Sequence, residues 1–146
     1  FIIGSGTKKE TAHLKSLIGR FKWGWRVHFT GFVADISEYM SIADVIVIPS
    51  QEYESFGLTA IEAMSYGIPI VATNIGGLPE TIGENGDCGF HTDIGDINEF
   101  SRNIIRLIKD ESLAKKMGKN GLDRVDKLFQ PNRMAREYQS LIQKNN

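Results

Sequence analysis

One cysteine, four prolines and no apolar run near the roughly 20 residues of a membrane-spanning helix bound what this 146-residue chain can be. A lone thiol, Cys88, excludes an internal disulfide and fits a reducing compartment, so the cytoplasm is the expected location. No leader-peptide pattern is visible, and the chain opens on Phe1 within what reads as a strand, which leads us to expect a piece of a longer protein. Excess charge of one sign is lacking too: 17 Lys and Arg meet 18 Asp and Glu for a net charge of -1. With the two signs mixed along the chain, a nucleic-acid-binding face or an electrostatic membrane anchor is not expected, and an anionic ligand would have to be held locally. What remains is ordinary for one globular domain over residues 1–146: 41% hydrophobic and 24% charged residues.

The pattern that is present alternates strand and helix. Residues 1–3 read as a strand, and after Gly4-Ser-Gly6 a helix carries Leu14, Leu17, Ile18 and Phe21 on one face. Arg26-Val-His-Phe-Thr30 reads as a second strand followed by a turn, and Asp35 with Glu38 forms a capping box for a short helix. Asp44-Val-Ile-Val-Ile-Pro-Ser50 is a short β-branched run of the kind buried in parallel sheets, and the helix after it carries Leu58 and Ile61 until Gly67 and Pro69 end it. Ile68-Pro-Ile-Val-Ala72 and Phe90-His91 supply two more strands. A capping box at Asp96 and Glu99 opens a helix marked by Ile97, Phe100, Ile104 and Ile108. Two further helices, around 113–128 and 132–143, place Leu113, Met117, Met134, Tyr138, Leu141 and Ile142 at packing positions. Five strands alternating with helices predict an α/β fold, a Rossmann-like parallel sheet sandwiched by helices.

Nucleotide motifs that such a sheet invites are mostly absent. In G-x-G-x-x-G the third glycine would fall at Lys9, and no acid follows the second strand to take a ribose, so a nicotinamide or flavin is not expected. The P-loop pattern is missing, and no His, Cys or carboxylate spacing offers metal ligands. By contrast, the strand ending at Ser50 feeds a helix through a short polar loop, and such a helix start aims its first N–H groups at the carboxyl edge of the sheet, where a phosphate is favoured. Two acids, Glu54 and Glu62, flank that start.

The segment Glu54-Ser-Phe-Gly-Leu-Thr-Ala-Ile-Glu-Ala-Met-Ser-Tyr-Gly-Ile-Pro69 resembles the E-x7-E region of group 1 retaining glycosyltransferases with the GT-B fold. Val27-His-Phe-Thr-Gly-Phe-Val33, Ala43-Asp-Val-Ile-Val-Ile-Pro-Ser50, Val71-Ala-Thr-Asn-Ile-Gly-Gly-Leu-Pro-Glu80 and Gly86-Asp-Cys-Gly89 resemble further blocks of that family in the same order. The resemblance covers nearly the whole chain and implies the C-terminal, donor-binding half of a GT-B fold. The implied substrate is a nucleoside-diphosphate sugar, a UDP-sugar before GDP- or ADP-sugars, with no metal and no cofactor; the acceptor would be a glycan, a lipid or a small molecule. It also assigns Glu54 beside the donor sugar as the candidate catalytic group, Glu62 to the ribose hydroxyls, the backbone of Phe32 and Val33 to the base, and the Gly4–Gly6 loop to the cleft.

Physically, the N–H groups of Ser55, Phe56, Gly57, Leu58 and Thr59 sit where a helix end adds partial positive charge, and Gly57 admits close approach of phosphate. From Gly57 to Glu62 the helix advances about 7.5 Å, a span that suits one ligand bridging phosphate and ribose. The family's basic pair that clamps the diphosphate, and an N-terminal domain supplying most acceptor contacts, would lie upstream of Phe1. We therefore expect this piece to fold, to transfer sugar poorly alone, to meet any membrane through the other half, and to expose an apolar sheet edge that favours self-association. Plainer readings stand beside these: Glu62 as a solvated helix charge, Glu54 as a loop carboxylate, His13, His28 and His91 as structural, Cys88 as a small turn residue, and Trp23 and Trp25 as loop packing. Two rivals also remain, a sugar-nucleotide epimerase of the same architecture and a non-catalytic nucleotide-sugar-binding module.

Overall fold

The computed structural model describes residues 1–144, which form two compact units, one of Phe1–Glu38 and one that begins at Tyr39. In the first, β1 (Ile2–Ile3) pairs in parallel with β2 (Phe29–Gly31), and α1 (Lys8–Ile18) connects them. Thr7 caps α1 with the reciprocal bonds of a capping box: its hydroxyl accepts the Glu10 N–H while the Glu10 carboxylate accepts the Thr7 N–H. The Glu10 carboxylate also accepts from the Thr7 hydroxyl, and this bond first, with the one from the Thr7 N–H second, holds the Glu10 carboxyl below its ordinary range. The second strand starts at Phe29 rather than Arg26, because Gly24–Arg26 is wound into a turn of 3-10 helix. Asp35 accepts the Ser37 N–H two residues on, at the start of α2 (Ser37–Ser41).

The second unit contains a three-stranded parallel sheet in the order β3 (Ile46–Ile48), β4 (Ile70–Thr73), β5 (Gly89–Thr92). Its central strand β4 is buried at every position, which is why Ile-Val-Ala-Thr is apolar on both faces. On one face Val71 and Phe90 meet Leu107 of α5 (Ile97–Lys109) and Met117 of α6 (Glu111–Leu128). The outer edge of β5 is closed by its own preceding turn: the Gly86 N–H donates to the Gly89 carbonyl and the His91 N–H to the Asn85 side-chain oxygen. Within this sheet β3 is the other edge, and its Val47 is half exposed.

Helix α3 (Leu58–Ser65) departs from the expected stripe. Its buried residues are Ala60, Ala63 and Met64, whereas Leu58 is 67% exposed. Helix α6 lies close to this helix. A side chain on Gly118 would come within 1.9 Å of the Gly67 carbonyl, and one on Gly121 within 3.0 Å of Met64 Cγ. In α5 it is Leu107 that is fully buried, with Ile97 and Ile108 outside. Asp96 caps that helix by accepting the Glu99 N–H. Helix α7 (Pro131–Lys144) also reverses an expectation: Met134, Tyr138, Leu141 and Ile142 are all exposed rather than packed. The same holds for Trp23 and Trp25 in the first unit.

Because the Gly118 contact is with backbone and the Gly121 contact with a flexible thioether side chain, the two glycines differ in what they tolerate. Gly118→Ala is expected to cost about 2 kcal/mol or more, and Gly121→Ala clearly less. Thermal unfolding of the two variants side by side tests the ranking; equal melting temperatures would refute close α3–α6 packing.

Candidate functional site

The loops leaving the carboxyl ends of the neighbouring strands β3 and β4 meet. Thr73, the last residue of β4, donates its hydroxyl to the Ser50 carbonyl at 2.7 Å, joining the strand ends. Beyond it Gly76 and Gly77 press against the backbone of residues 54–56. The Gly77 N–H donates to the Glu54 carbonyl at 3.0 Å. A Cβ on Gly76 would stand 1.9 Å from that carbonyl oxygen, and one on Gly77 2.5 Å from the Ser55 carbonyl oxygen. Only two residues without side chains let the loops touch in this way.

That contact fixes how α3 begins. Gly57 takes a left-handed conformation, φ 83°, and a Cβ there would meet Leu78 Cδ2 at 2.9 Å. The Gly57 N–H donates to the Glu54 carboxylate at 3.1 Å, so an anion from the protein itself already sits at the helix start. The Gly57 carbonyl accepts from both Ala60 and Ile61. The N–H groups of Leu58 and Thr59 have no protein partner among the described residues. Two oriented donors are thus left for a ligand, as at other anion-binding helix ends. Thr59 and Glu62 are exposed along the same helix, and Phe56 is half exposed beside its first turn.

Support comes from α4 (Leu78–Ile82) and α6, residues that no sequence motif marks. The Thr81 hydroxyl donates to the Phe56 carbonyl. Arg124 in turn donates from Nε to the Thr81 carbonyl at 2.8 Å and from its terminal nitrogen to the Glu80 carbonyl at 2.7 Å, closing the C-terminal end of α4. Nothing in the spacing of Thr81 or Arg124 forecasts these bonds, since both depend on where distant helices cross. Cys88, fully buried at the foot of β5, has its thiol pushed up to about 11, by burial first and by the Asp87 carboxylate beside it second. It is inert packing, in line with its reading as a residue without chemistry.

In the first unit, Gly4 and Gly6 follow β1, while Phe32 and Val33 follow β2. The Gly4 N–H donates to the Gly31 carbonyl at 2.8 Å, bringing the two loops together at the carboxyl ends of their strands. Gly4 adopts φ 120°, Phe32 is exposed and Val33 is half-buried. The predicted residues therefore fall into two sets, each gathered at strand ends within its own unit. Among the described residues no three His, Cys, Asp or Glu side chains converge as metal ligands, and no helix is long and apolar enough to cross a membrane.

Parallel strands joined through helices, with loops gathered at their carboxyl ends around a helix start, define a Rossmann-like α/β protein. The model of the glycosyl transferases group 1 family matches residues 1–124, and the chain belongs to that family. N-acetyl-alpha-D-glucosaminyl L-malate synthase of Bacillus anthracis is 34% identical over 116 residues, 80% of this chain and 30% of that protein. The crystal structure of HepE from Anabaena with UDP superposes on 97% of this chain and 40% of its own, with a TM-score of 0.86 and 29% identity. Sucrose-phosphate synthase from Thermosynechococcus elongatus matches 97% of this chain and 37% of its own, with a TM-score of 0.84 and 33% identity. This chain spans well under half the length of each of these relatives.

Two measurements probe the site without a ligand. Gly76→Ala forces a side chain into the Glu54 carbonyl, so its amide resonances at residues 54–59 are expected to shift far more than those of α5 and α6; unmoved amides there would show that the loops do not touch. Cys88 is expected to resist aromatic disulfide reagents at pH 8 until denaturant is added, and labelling of the native protein within minutes would contradict its burial.

Proposed function

We propose that this chain is the donor-binding part of a retaining glycosyltransferase, which moves a sugar from a nucleoside-diphosphate sugar to a glycan, lipid or small-molecule acceptor. The observation that carries the proposal is the start of α3, where Leu58 and Thr59 present unpaired N–H groups beside a left-handed Gly57. A diphosphate seated there would receive hydrogen bonds on the oxygens that become more negative as the bond to the sugar lengthens. Donors oriented in advance toward that charge lower the barrier. HepE, similar over 97% of this chain, has been crystallised with UDP and with UDP-glucose, which supports a UDP-sugar as the donor.

Within this proposal Glu54 changes partner. In the absence of donor its carboxylate accepts the Gly57 N–H, and an arriving phosphate competes for the same position with the same sign of charge. Glu54 would turn toward the sugar, where a carboxylate can steady positive charge at the anomeric carbon while the carbon–oxygen bond to phosphate breaks, the acceptor oxygen bonds to that carbon, and the acceptor hydroxyl's proton passes to the departing phosphate oxygen. Glu62, further along the exposed face of α3, would accept from the two ribose hydroxyls. Gly4, Gly6, Phe32 and Val33 are proposed to serve the donor as well, with the base against the last two. A second domain and a basic pair would complete the clamp and the acceptor wall; no metal or cofactor is invoked, and the proposed location is the cytoplasm, with membrane association through the other domain.

Calorimetric titration of the protein that carries this domain with UDP-, GDP- and ADP-sugars tests the proposal. Saturable binding of a UDP-sugar is expected, and Glu62→Gln should weaken it about tenfold by replacing charge-assisted hydrogen bonds with neutral ones. A folded protein that binds none of the three would end the proposal. Release of free nucleoside diphosphate together with a glycoside separates transfer from epimerisation of the donor.

A further inference from the structure

The loop at residues 19–27, between α1 and β2, has a composition at odds with the chain as a whole. No Asp or Glu occurs between Glu10 and Asp35, whereas Lys15, Arg20, Lys22 and Arg26 all do, although the whole chain carries a net charge of -1. The overall balance therefore conceals a cationic stretch. Three aromatic rings project from it into solvent: Phe21 is 52% exposed, Trp23 53% and Trp25 76%. Arg20, Lys22 and Arg26 are exposed beside them.

This is not a slack loop. The Phe21 N–H donates to the Ile18 carbonyl, Gly24 to Phe21, Arg26 to Trp23 and Val27 to Gly24, all at 2.9–3.1 Å. Gly24 lies so close to the end of α1 that a Cβ would stand 2.6 Å from the Ile18 carbonyl oxygen. The backbone thus holds the rings outward on a fixed turn, at little further entropic cost on binding. Exposed Trp and Phe flanked by Lys and Arg are the side chains that settle at a bilayer's headgroup boundary, the rings among the upper acyl carbons and the cations among lipid phosphates.

We propose that this loop docks on an anionic lipid bilayer. Ring geometry favours a bilayer over single-stranded nucleic acid, which needs free ring faces for its bases. Here Phe21 and Trp23 are stacked on each other, centroids 4.7 Å apart, and the Arg26 guanidinium lies 5.7 Å from the Trp25 ring centroid. Insertion at a headgroup boundary leaves both pairings intact. The docking rests on the first unit alone and does not depend on donor binding.

Trp23 and Trp25 are the two tryptophans of the chain, so intrinsic fluorescence reports on this surface directly. With vesicles of phosphatidylcholine and phosphatidylglycerol at low salt, the emission is expected to shift to the blue and the protein to float with the lipid; added salt should reverse both. Lys22→Gln with Arg26→Gln keeps both reporters and should weaken partitioning roughly thirty-fold, at about a fivefold loss for each cation removed near a charged surface. Trp25→Ala should weaken it while Trp23 still reports. Circular dichroism confirms that each variant is folded. The proposal falls if the folded chain neither shifts nor floats with these vesicles, if phosphatidylcholine alone binds it as well, or if single-stranded oligonucleotide quenches the tryptophans while vesicles do not.

Discussion

The contact between two loop backbones, Gly76-Gly77 against residues 54–56, is the constraint on which the candidate site rests. A helix start can present its N–H groups only if the residues before it are held off the helical path. Here the restraint is supplied by the neighbouring strand's loop, which donates a hydrogen bond to the Glu54 carbonyl and leaves no space for a Cβ. Thr81 adds a bond to the Phe56 carbonyl, and Arg124 secures the helix that carries Thr81. The geometry at Leu58 and Thr59 is thus determined through successive contacts that end on α6, outside the loop itself.

Tight helix packing has the same origin. Gly118 and Gly121 let α6 approach α3, which fixes the face of α3 that must be inside and leaves Leu58 outside it. The residues whose lack of a side chain permits the approach are the two glycines of α6, and the contact between the helices does the burying.

This is also where the sequence could and could not be read. The strand–helix alternation, the interior character of Ile70 to Thr73, and the helix start at Gly57 follow from local pattern, and the structure reproduces them within a few residues. The family was legible because several blocks occur in order, each constrained by its own turn or contact. What escaped were properties set by distant chain. The buried stripe of α3 was misassigned because large apolar residues were assumed to point inward; Met134, Tyr138, Leu141 and Ile142 failed in the same way on α7. Thr81 and Arg124 carry no local signature, since their bonds are to backbone carbonyls 25 and 43 residues away. Net charge is an average: six Lys and Arg against three acids in the first 38 residues disappear into a total of -1.

The edges of the three-stranded sheet are unequal, and this asymmetry limits how copies could join. The side chain of Asn85 and the turn at Gly86 occupy the outer rim of β5, while β3 is the other end of that sheet. A strand arriving from another copy would therefore find the β5 rim already taken by the protein's own turn, so this sheet cannot be extended past β5 without first dismantling that turn.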